Sequence, residues 1–431
     1  MKPNRESDGI STALEGTLAV AVEAPQHAGL GPTLDYYCER PLSPGTLVRV
    51  PLGKRQVPGI VWERVPGLAL DAVQIKPMGD VLDAMPPLPA AWRQLVAFAA
   101  GYYQRSVGEL ALALLPPELR KLDAAQLTRR VARLAAPESK AHEDATAPAL
   151  NATQQAAVQA LAPMTAGTTL LHGVTGSGKT EVYLQAAAAA LAAGRQVLVL
   201  VPEINLTPQL EARFAARFAG QHMVSLHSAL TPAQRLKNWL SAHLGHADLV
   251  LGTRLAVFAS MPRLGLVVVD EEHDPSFKQQ EGARYSARDL SVWRGHNEGI
   301  AVLLGSATPS LETWQRAEQG AYRRLALPER IGGGALPRVR VVDMGALPRN
   351  KGEEIVISPP LLDALQQRLS RGEQSLVLLN RRGYAPVLHC GACGWKSGCA
   401  HCSAWRVFHK IDRTLRCHHC GFTERVPRAC P

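Results

Sequence analysis

The sequence predicts an α/β fold with a parallel sheet, preceded by a small β-rich unit and followed by a cysteine-rich, metal-binding segment. Three observations carry this. Gly173-Val174-Thr175-Gly176-Ser177-Gly178-Lys179-Thr180 satisfies the phosphate-loop pattern G-x-x-x-x-G-K-[ST], between an apolar run at 168–172 and an Ala-rich helical stretch ending at Gly194. Apolar runs at 196–201, 248–251, 264–269 and 301–304 alternate with helical patterns, as buried parallel strands do. Of the eight cysteines, all but Cys38 fall between Cys390 and Cys430, mostly as Cys-x-x-Cys pairs.

Taken in order, residues 1–115 read as the β-rich unit. Strands are expected at 18–22, 46–50 and 59–62, separated by Gly/Pro turns, with a helix at 89–103. Nothing here announces chemistry by itself. Residues 116–149 are charged, Ala-rich and Pro-flanked, and read as a short helix and a flexible linker. Residues 150–345 form the α/β unit, in which each apolar run is followed by a polar motif, where open α/β sheets bind ligands. Residues 346–431 open a further unit, with a strand at 375–379 before the cysteines.

The phosphate loop sets the chemistry. Its glycines let backbone N–H groups face phosphate oxygens, and the helix N-terminus favours anions. Lys179 is placed to reach the β- and γ-phosphates of ATP and Thr180 to ligate Mg²⁺. The run at 264–269 ends in Asp270-Glu271-Glu272-His273. Asp270 stands where such an enzyme needs a carboxylate on the Mg²⁺ shell, and Glu271 where a general base would orient water. Gly305-Ser306-Ala307-Thr308-Pro309 is a weak signal alone and a strong one as the third motif in this order.

Composition narrows the class. At 431 residues the chain has room for about three domains. A net charge of +10 points to a polyanion such as nucleic acid, although charge alone also fits a basic protein without one. The sequence has neither a secretory signal nor the run of about 20 apolar residues that crosses a bilayer, so a cytoplasmic protein with no membrane contact is expected. In a reducing compartment clustered Cys-x-x-Cys pairs indicate zinc, two sulfurs per pair on one ion. His389, His401, His418 and His419 are potential substitute ligands, with surface residues beside the site as the favoured reading.

The DEEH tetrad and the Ser-Ala-Thr motif resemble the superfamily 2 helicases. The segments 171–183, 201–209, 278–282 and 380–386 (Asn380-Arg381-Arg382-Gly383-Tyr384-Ala385-Pro386) sharpen this to a resemblance to the primosomal protein N′ (PriA) family, 3′-to-5′ DNA helicases that restart stalled replication forks. The resemblance implies a RecA-like helicase lobe at 150–345, a 3′-end DNA-binding domain at 1–115, and a partial second lobe with zinc ribbons from 346. It implies an ATP-dependent DNA helicase with ATP, Mg²⁺ and Zn²⁺, partnered by forked and single-stranded DNA, primosome proteins and single-stranded DNA-binding protein. Carried over by position, Lys179, Asp270, Glu271 and His273 are catalytic. Gln154 contacts adenine, ahead of the nucleotide-binding residues Gly173 to Thr180. Asp35, Gly53 and Lys76 match the 3′-end pocket, Thr253 and Arg254 a backbone contact, and Arg284, Tyr285 and Arg288 an aromatic-rich loop coupling DNA to hydrolysis. The family often has an aromatic residue where Ala283 stands, so Tyr285 is expected to do the stacking.

The pairs nest by the same resemblance. Cys399, Cys402, Cys417 and Cys420 share an inner zinc, and Cys390 and Cys393 an outer one with a last pair of which only Cys430 is present. The expected ligands of that outer ion are three thiolates and water or histidine. The family's winged helix is expected to be absent or vestigial in 116–149. The chain reads as truncated within the second lobe, before an arginine motif that completes the ATPase. The alternative is therefore a fragment that binds forked DNA and nucleotide without efficient hydrolysis. A protein-remodelling zinc NTPase is a weaker rival, because the basic balance and Gly252-Thr253-Arg254 favour DNA.

Overall fold

The computed structural model describes residues 16–23, 31–64, 75–134, 148–202, 208–333, 338–347, 357–378, 387–401, 404–418 and 420–429. The chain divides into two compact units, Met1–Ala335 and Leu336–Pro431. Among the described residues no helix is long and apolar enough to cross a membrane.

The first unit opens with strands β1 Thr17–Val22, β2 Leu34–Tyr37, β3 Leu47–Leu52, β4 Arg55–Val61, β5 Lys76–Pro77 and β6 Val81–Leu82, in sheet order β5-β2-β1-β4-β3-β6. The two edges are consecutive in the chain. Met78 donates its N–H to Tyr37 and Gly79 donates to Arg49, so residues 76–82 tie one edge of the sheet to the other. Alternation sorts the side chains: Val20, Val22, Tyr36, Val48 and Val50 fill one core, while Ala21, Leu47 and Ile60 pack beneath helices α1 Ala90–Tyr102 and α2 Val107–Leu114.

The segment expected as a linker is partly structural. A 3₁₀ turn at Leu119–Lys121 leads into α3 Ala124–Ala132, whose N-terminus is closed by a reciprocal Asp123–Gln126 capping box. Leu119, Leu122 and Leu127 are buried in the same core as α1 and α2. Residues 116–134 therefore pack as part of the first unit, and among the described residues here α3 is the one α-helix.

A seven-stranded parallel sheet follows: β7 Gly167–Gly173, β8 Gln196–Leu200, β9 Met223–Leu226, β10 Leu249–Gly252, β11 Leu264–Asp270, β12 Ala301–Ser306 and β13 Arg323–Leu327, in order β13-β7-β12-β11-β8-β10-β9. Helices α4 Ala152–Leu161, α5 Lys179–Ala192, α6 Pro208–Arg217, α7 Pro232–His243, α8 Ala287–Glu298 and α9 Leu311–Glu318 accompany it. The continuous apolar runs have a simple cause. Val199, Val268 and Leu303 enter the core on one face, and Leu198, Val267 and Leu304 the core on the other. β9 and β13 carry no such run because they are the sheet edges and stay half-exposed.

Two buried polar links tie this sheet to the β-rich part. Trp92 Nε1 donates to the Phe258 carbonyl at 2.7 Å, and the His243 ring sits between the Pro86 carbonyl at 2.9 Å and the Ser260 hydroxyl at 2.8 Å.

The second unit contains α10 Pro359–Ser370 and a three-stranded antiparallel sheet, β14 Val407–His409, β15 Thr414–Arg416 and β16 Thr423–Arg425. The strand expected at 375–379 does not form over its described part, 375–378. Leu376 and Leu378 are 98% and 88% exposed there, and an apolar run without a pairing neighbour has no ladder to join.

Candidate functional site

Strands β7, β12 and β11 are neighbours, so their C-terminal ends bring three motifs together: the phosphate loop, Ser306-Ala307-Thr308 and Asp270 to His273. Gly178 caps α5 with φ +79°, and a Cβ there would run into the Gln154 amide and Ile331. Lys179 is buried, and its Nζ donates to the Gly173 carbonyl at 3.0 Å while lying 3.9 Å from a Glu271 oxygen. Ser177 Oγ is buried without a hydrogen-bond partner among the described residues. An unmatched hydroxyl beside a buried ammonium, at a helix N-terminus, fits a phosphate group.

Asp270 is half-buried, and desolvation raises its carboxyl above its ordinary value; its bond from Tyr183 works against that rise. Tyr183 donates to Oδ1 at 2.9 Å and the Glu271 amide donates to the same oxygen at 3.0 Å. Oδ2 has no partner among the described residues and fits a cation. Burial and the Asp270 charge push the Tyr183 hydroxyl well above its usual pKa, so it remains a donor. Gly305 permits this approach, since a Cβ there would overlap the Tyr183 hydroxyl. Tyr183 was legible only as part of a resembling segment; its contact with Asp270 has no signature in spacing. Glu271 adopts φ +48°, a left-handed conformation that costs a non-glycine residue of order 1 kcal/mol.

His273 Nδ1 lies 2.8 Å from Ser306 Oγ, and Nε2 lies 3.4 Å from Thr308 Oγ1. The DEEH motif therefore touches the Ser-Ala-Thr motif directly. Glu272, which sequence reading passed over, is 1% exposed and accepts from the Ser310 amide, Thr313 Oγ1 and Arg288.

Several expected contacts are arranged differently. Gln154 is 2% exposed; its Nε2 donates to the Ser177 carbonyl at 3.1 Å and its Oε1 accepts from the Asn151 amide at 3.0 Å. Both amide ends hold the phosphate loop and the start of α4. Arg288, expected on DNA, spends its guanidinium on Asp289, Glu272 and Ser310. Tyr285, expected to stack on a base, is 5% exposed, meets Phe258 edge-on and bonds Arg254. Arg254 is half-buried and donates to the Ser276 carbonyl at 2.8 Å, Thr253 is buried, and Arg284 is exposed. Asp35 is ion-paired with Arg64 at 2.9 Å, Lys76 is exposed opposite Tyr36, and Gly53 turns β3 into β4 with φ +63°.

In the second unit, the Sγ atoms of Cys399, Cys417 and Cys420 lie within 4.8 Å of one another. Sulfurs on one tetrahedral zinc stand about 3.8 Å apart, given Zn–S bonds of about 2.3 Å. The three pairs share one turn. Cys390, Cys399 and Cys417 donate their N–H groups to the carbonyls of Trp395, Ala404 and Phe422, each five residues on. Gly394 and Gly421 then donate back to Cys390 and Cys417. Cys393 is exposed beside Cys390. Cys402, His419 and Cys430 lie outside the described residues, as does the expected motif at 380–386. His401 packs on Phe422, and His418 Nε2 lies 3.2 Å from His409 Nε2.

Three family models match the chain: DEAD/DEAH box helicase over residues 151–317, the PriA 3′ DNA-binding domain over 19–116, and the PriA DNA helicase Cys-rich region over 399–425. The chain is 48% identical over 261 residues to the replication restart protein PriA of Haemophilus influenzae, covering 61% of this chain and 35% of that one. It is 36% identical over 392 residues to the replication restart protein PriA of Rickettsia felis, covering 90% of this chain and 58% of the relative. The aligned part thus spans between about a third and three fifths of these relatives' lengths.

Proposed function

Because this chain belongs to the PriA family, carrying its 3′ DNA-binding, helicase and Cys-rich domains in order, we propose that it is an ATP-dependent 3′-to-5′ DNA helicase that recognises stalled or abandoned replication forks and initiates restart by primosome assembly. The observation that carries this reading is the buried Lys179 held between the phosphate loop and Glu271, beside Asp270. The loop amides, Ser177 and Lys179 bind the triphosphate. Thr180 and Asp270 would hold Mg²⁺, which would offset charge on the transferring phosphoryl group. Glu271 orients water as general base, and His273 carries the state of the site to Ser306 and Thr308. Cys399, Cys402, Cys417 and Cys420 would hold a zinc ion that ties the small sheet together, and Cys390, Cys393 and Cys430 would contribute to a second. Residues 1–115 bind the 3′ end through Asp35, Gly53 and Lys76, and Thr253, Arg254 and Arg284 face the strand. Forked DNA, single-stranded DNA-binding protein and primosome proteins are the partners.

ATP hydrolysis measured with and without forked DNA tests this. DNA should raise the rate, and Lys179→Ala should lower it by about 100-fold or more, as loss of a phosphate clamp does. A rate indifferent to DNA would sink the motor reading. Tight nucleotide and fork binding with background hydrolysis would favour the fragment reading.

A further inference from the structure

A cavity of about 410 Å³ lies between α2 and the lobe, off the carboxyl end of β10. Leu110 and Leu114 of α2 form one wall, and Trp239, Phe258 and Tyr285 form the other. None of the ATP-site residues lines it. Its size is that of a small-molecule pocket, and its position is where open parallel sheets take ligands.

The lining is apolar and aromatic, but its charge is one-sided. Arg235 and Arg254 line it with a single acid, Glu281. Arg235 is held by the Ser228 and Leu230 carbonyls at 3.1 and 3.3 Å, and Arg254 by the Ser276 carbonyl at 2.8 Å. Neither forms an ion pair among the described residues. Carbonyls fix a guanidinium without neutralising it, so two positive charges stand beside an apolar slot. In contrast, Arg263, Arg288 and Arg294 all lie within 4.0 Å of a carboxylate.

An occupant must offer a flat apolar body flanked by negative charge. We propose that the cavity receives one unstacked base of single-stranded DNA, with the phosphates on either side at Arg235 and Arg254. This rests on the DNA-binding reading above and gives it a base-holding step that backbone contacts alone would not supply. An apolar peptide side chain would fill the slot but leave both arginines uncompensated. A base on an aromatic wall adds affinity without needing a particular sequence.

Ala113 lines the cavity from the exposed side of α2, so a larger side chain there fills the slot without entering the core. The test compares binding of an oligothymidylate of about 15 nucleotides, long enough to span one site, with an abasic deoxyribose-phosphate oligomer of equal length. Wild type should bind the thymidylate about tenfold more tightly. Ala113→Trp should bring that affinity down to the abasic value and leave abasic binding unchanged, while Ala113→Ser changes neither. Replacing one thymine with 2-aminopurine should give quenched emission on wild type and not on Ala113→Trp. Equal binding of both oligomers by wild type, or an Ala113→Trp chain that keeps wild-type thymidylate affinity, overturns the base site and leaves a peptide side chain as the occupant. A melting temperature for Ala113→Trp matching wild type assigns any loss to the slot and not to unfolding. Wild type that binds neither oligomer overturns the DNA reading itself, a distinct failure.

Discussion

Glu272 accepts the Ser310 backbone amide at 2.7 Å, joining the end of the DEEH motif to the turn that follows Ser306-Ala307-Thr308-Pro309. The same carboxylate accepts from Thr313 at 2.8 Å and from Arg288 at 3.4 Å, and its side chain is fully buried. One acid thus gathers β11, α8 and α9.

Removing it should be costly. Glu272→Ala leaves the Ser310 amide and the Thr313 hydroxyl without their acceptor and Arg288 without its buried carboxylate, and is expected to lower unfolding free energy by about 3 kcal/mol. Glu272→Gln keeps one acceptor oxygen and should lose less. Urea unfolding of both variants checks this, and equal losses would show that the charge contributes nothing.

Tyr183 orients Asp270 from behind. Tyr183→Phe keeps the ring and deletes the bond, so affinity for Mg²⁺ with nucleotide should fall about tenfold, as for other ligand-orienting partners. Titrating Mg²⁺ against a fluorescent ATP analogue measures it. An unchanged midpoint would detach Tyr183 from the site.

Burial lowers the His243 pKa to about 4, against a smaller opposing effect of the Pro86 carbonyl. Below pH 6.5 the unfolded chain takes up a proton that the folded chain refuses, so stability is retained above that pH and lost on the way down to 4. At pH 5 the loss should be about 2 kcal/mol relative to pH 7.5. His243→Gln should flatten this part of the profile, read as denaturant midpoints at the two pH values. A parallel acid loss in the variant would place its source elsewhere.

The small sheet β14–β16 has little apolar interior: Leu415 and Cys417 are its buried members. A metal bound at the cysteines would then supply much of its folding energy. Cys417→Ser should release one equivalent of zinc and expose residues 387–429 to protease. Protection equal to wild type after chelation would contradict a metal-held fold.

Much of the architecture was legible because it is local or periodic. Largely apolar runs marked β8, β10, β11 and β12, since a strand covered on both faces is apolar at most positions. β9 and β13 lacked that mark as edges, and the run at 375–378 carried it without a partner to pair with. Glycine and lysine spacing identified the phosphate loop, and cysteine spacing the three matching turns.

The sequence by itself determined which backbone turns form, which acids end a buried strand, and which sulfurs come in pairs, because each of these depends on neighbours a few residues away. Only the tertiary structure decided which polar groups remain free to act. Gln154 and Arg288 are bound to groups inside the protein, Arg235 and Arg254 are held by neutral partners without a carboxylate among the described residues, and Glu272 holds three elements together. The reason is that a side chain's hydrogen-bonding capacity is consumed by whatever element packs against it, and that element can lie dozens of residues away along the chain.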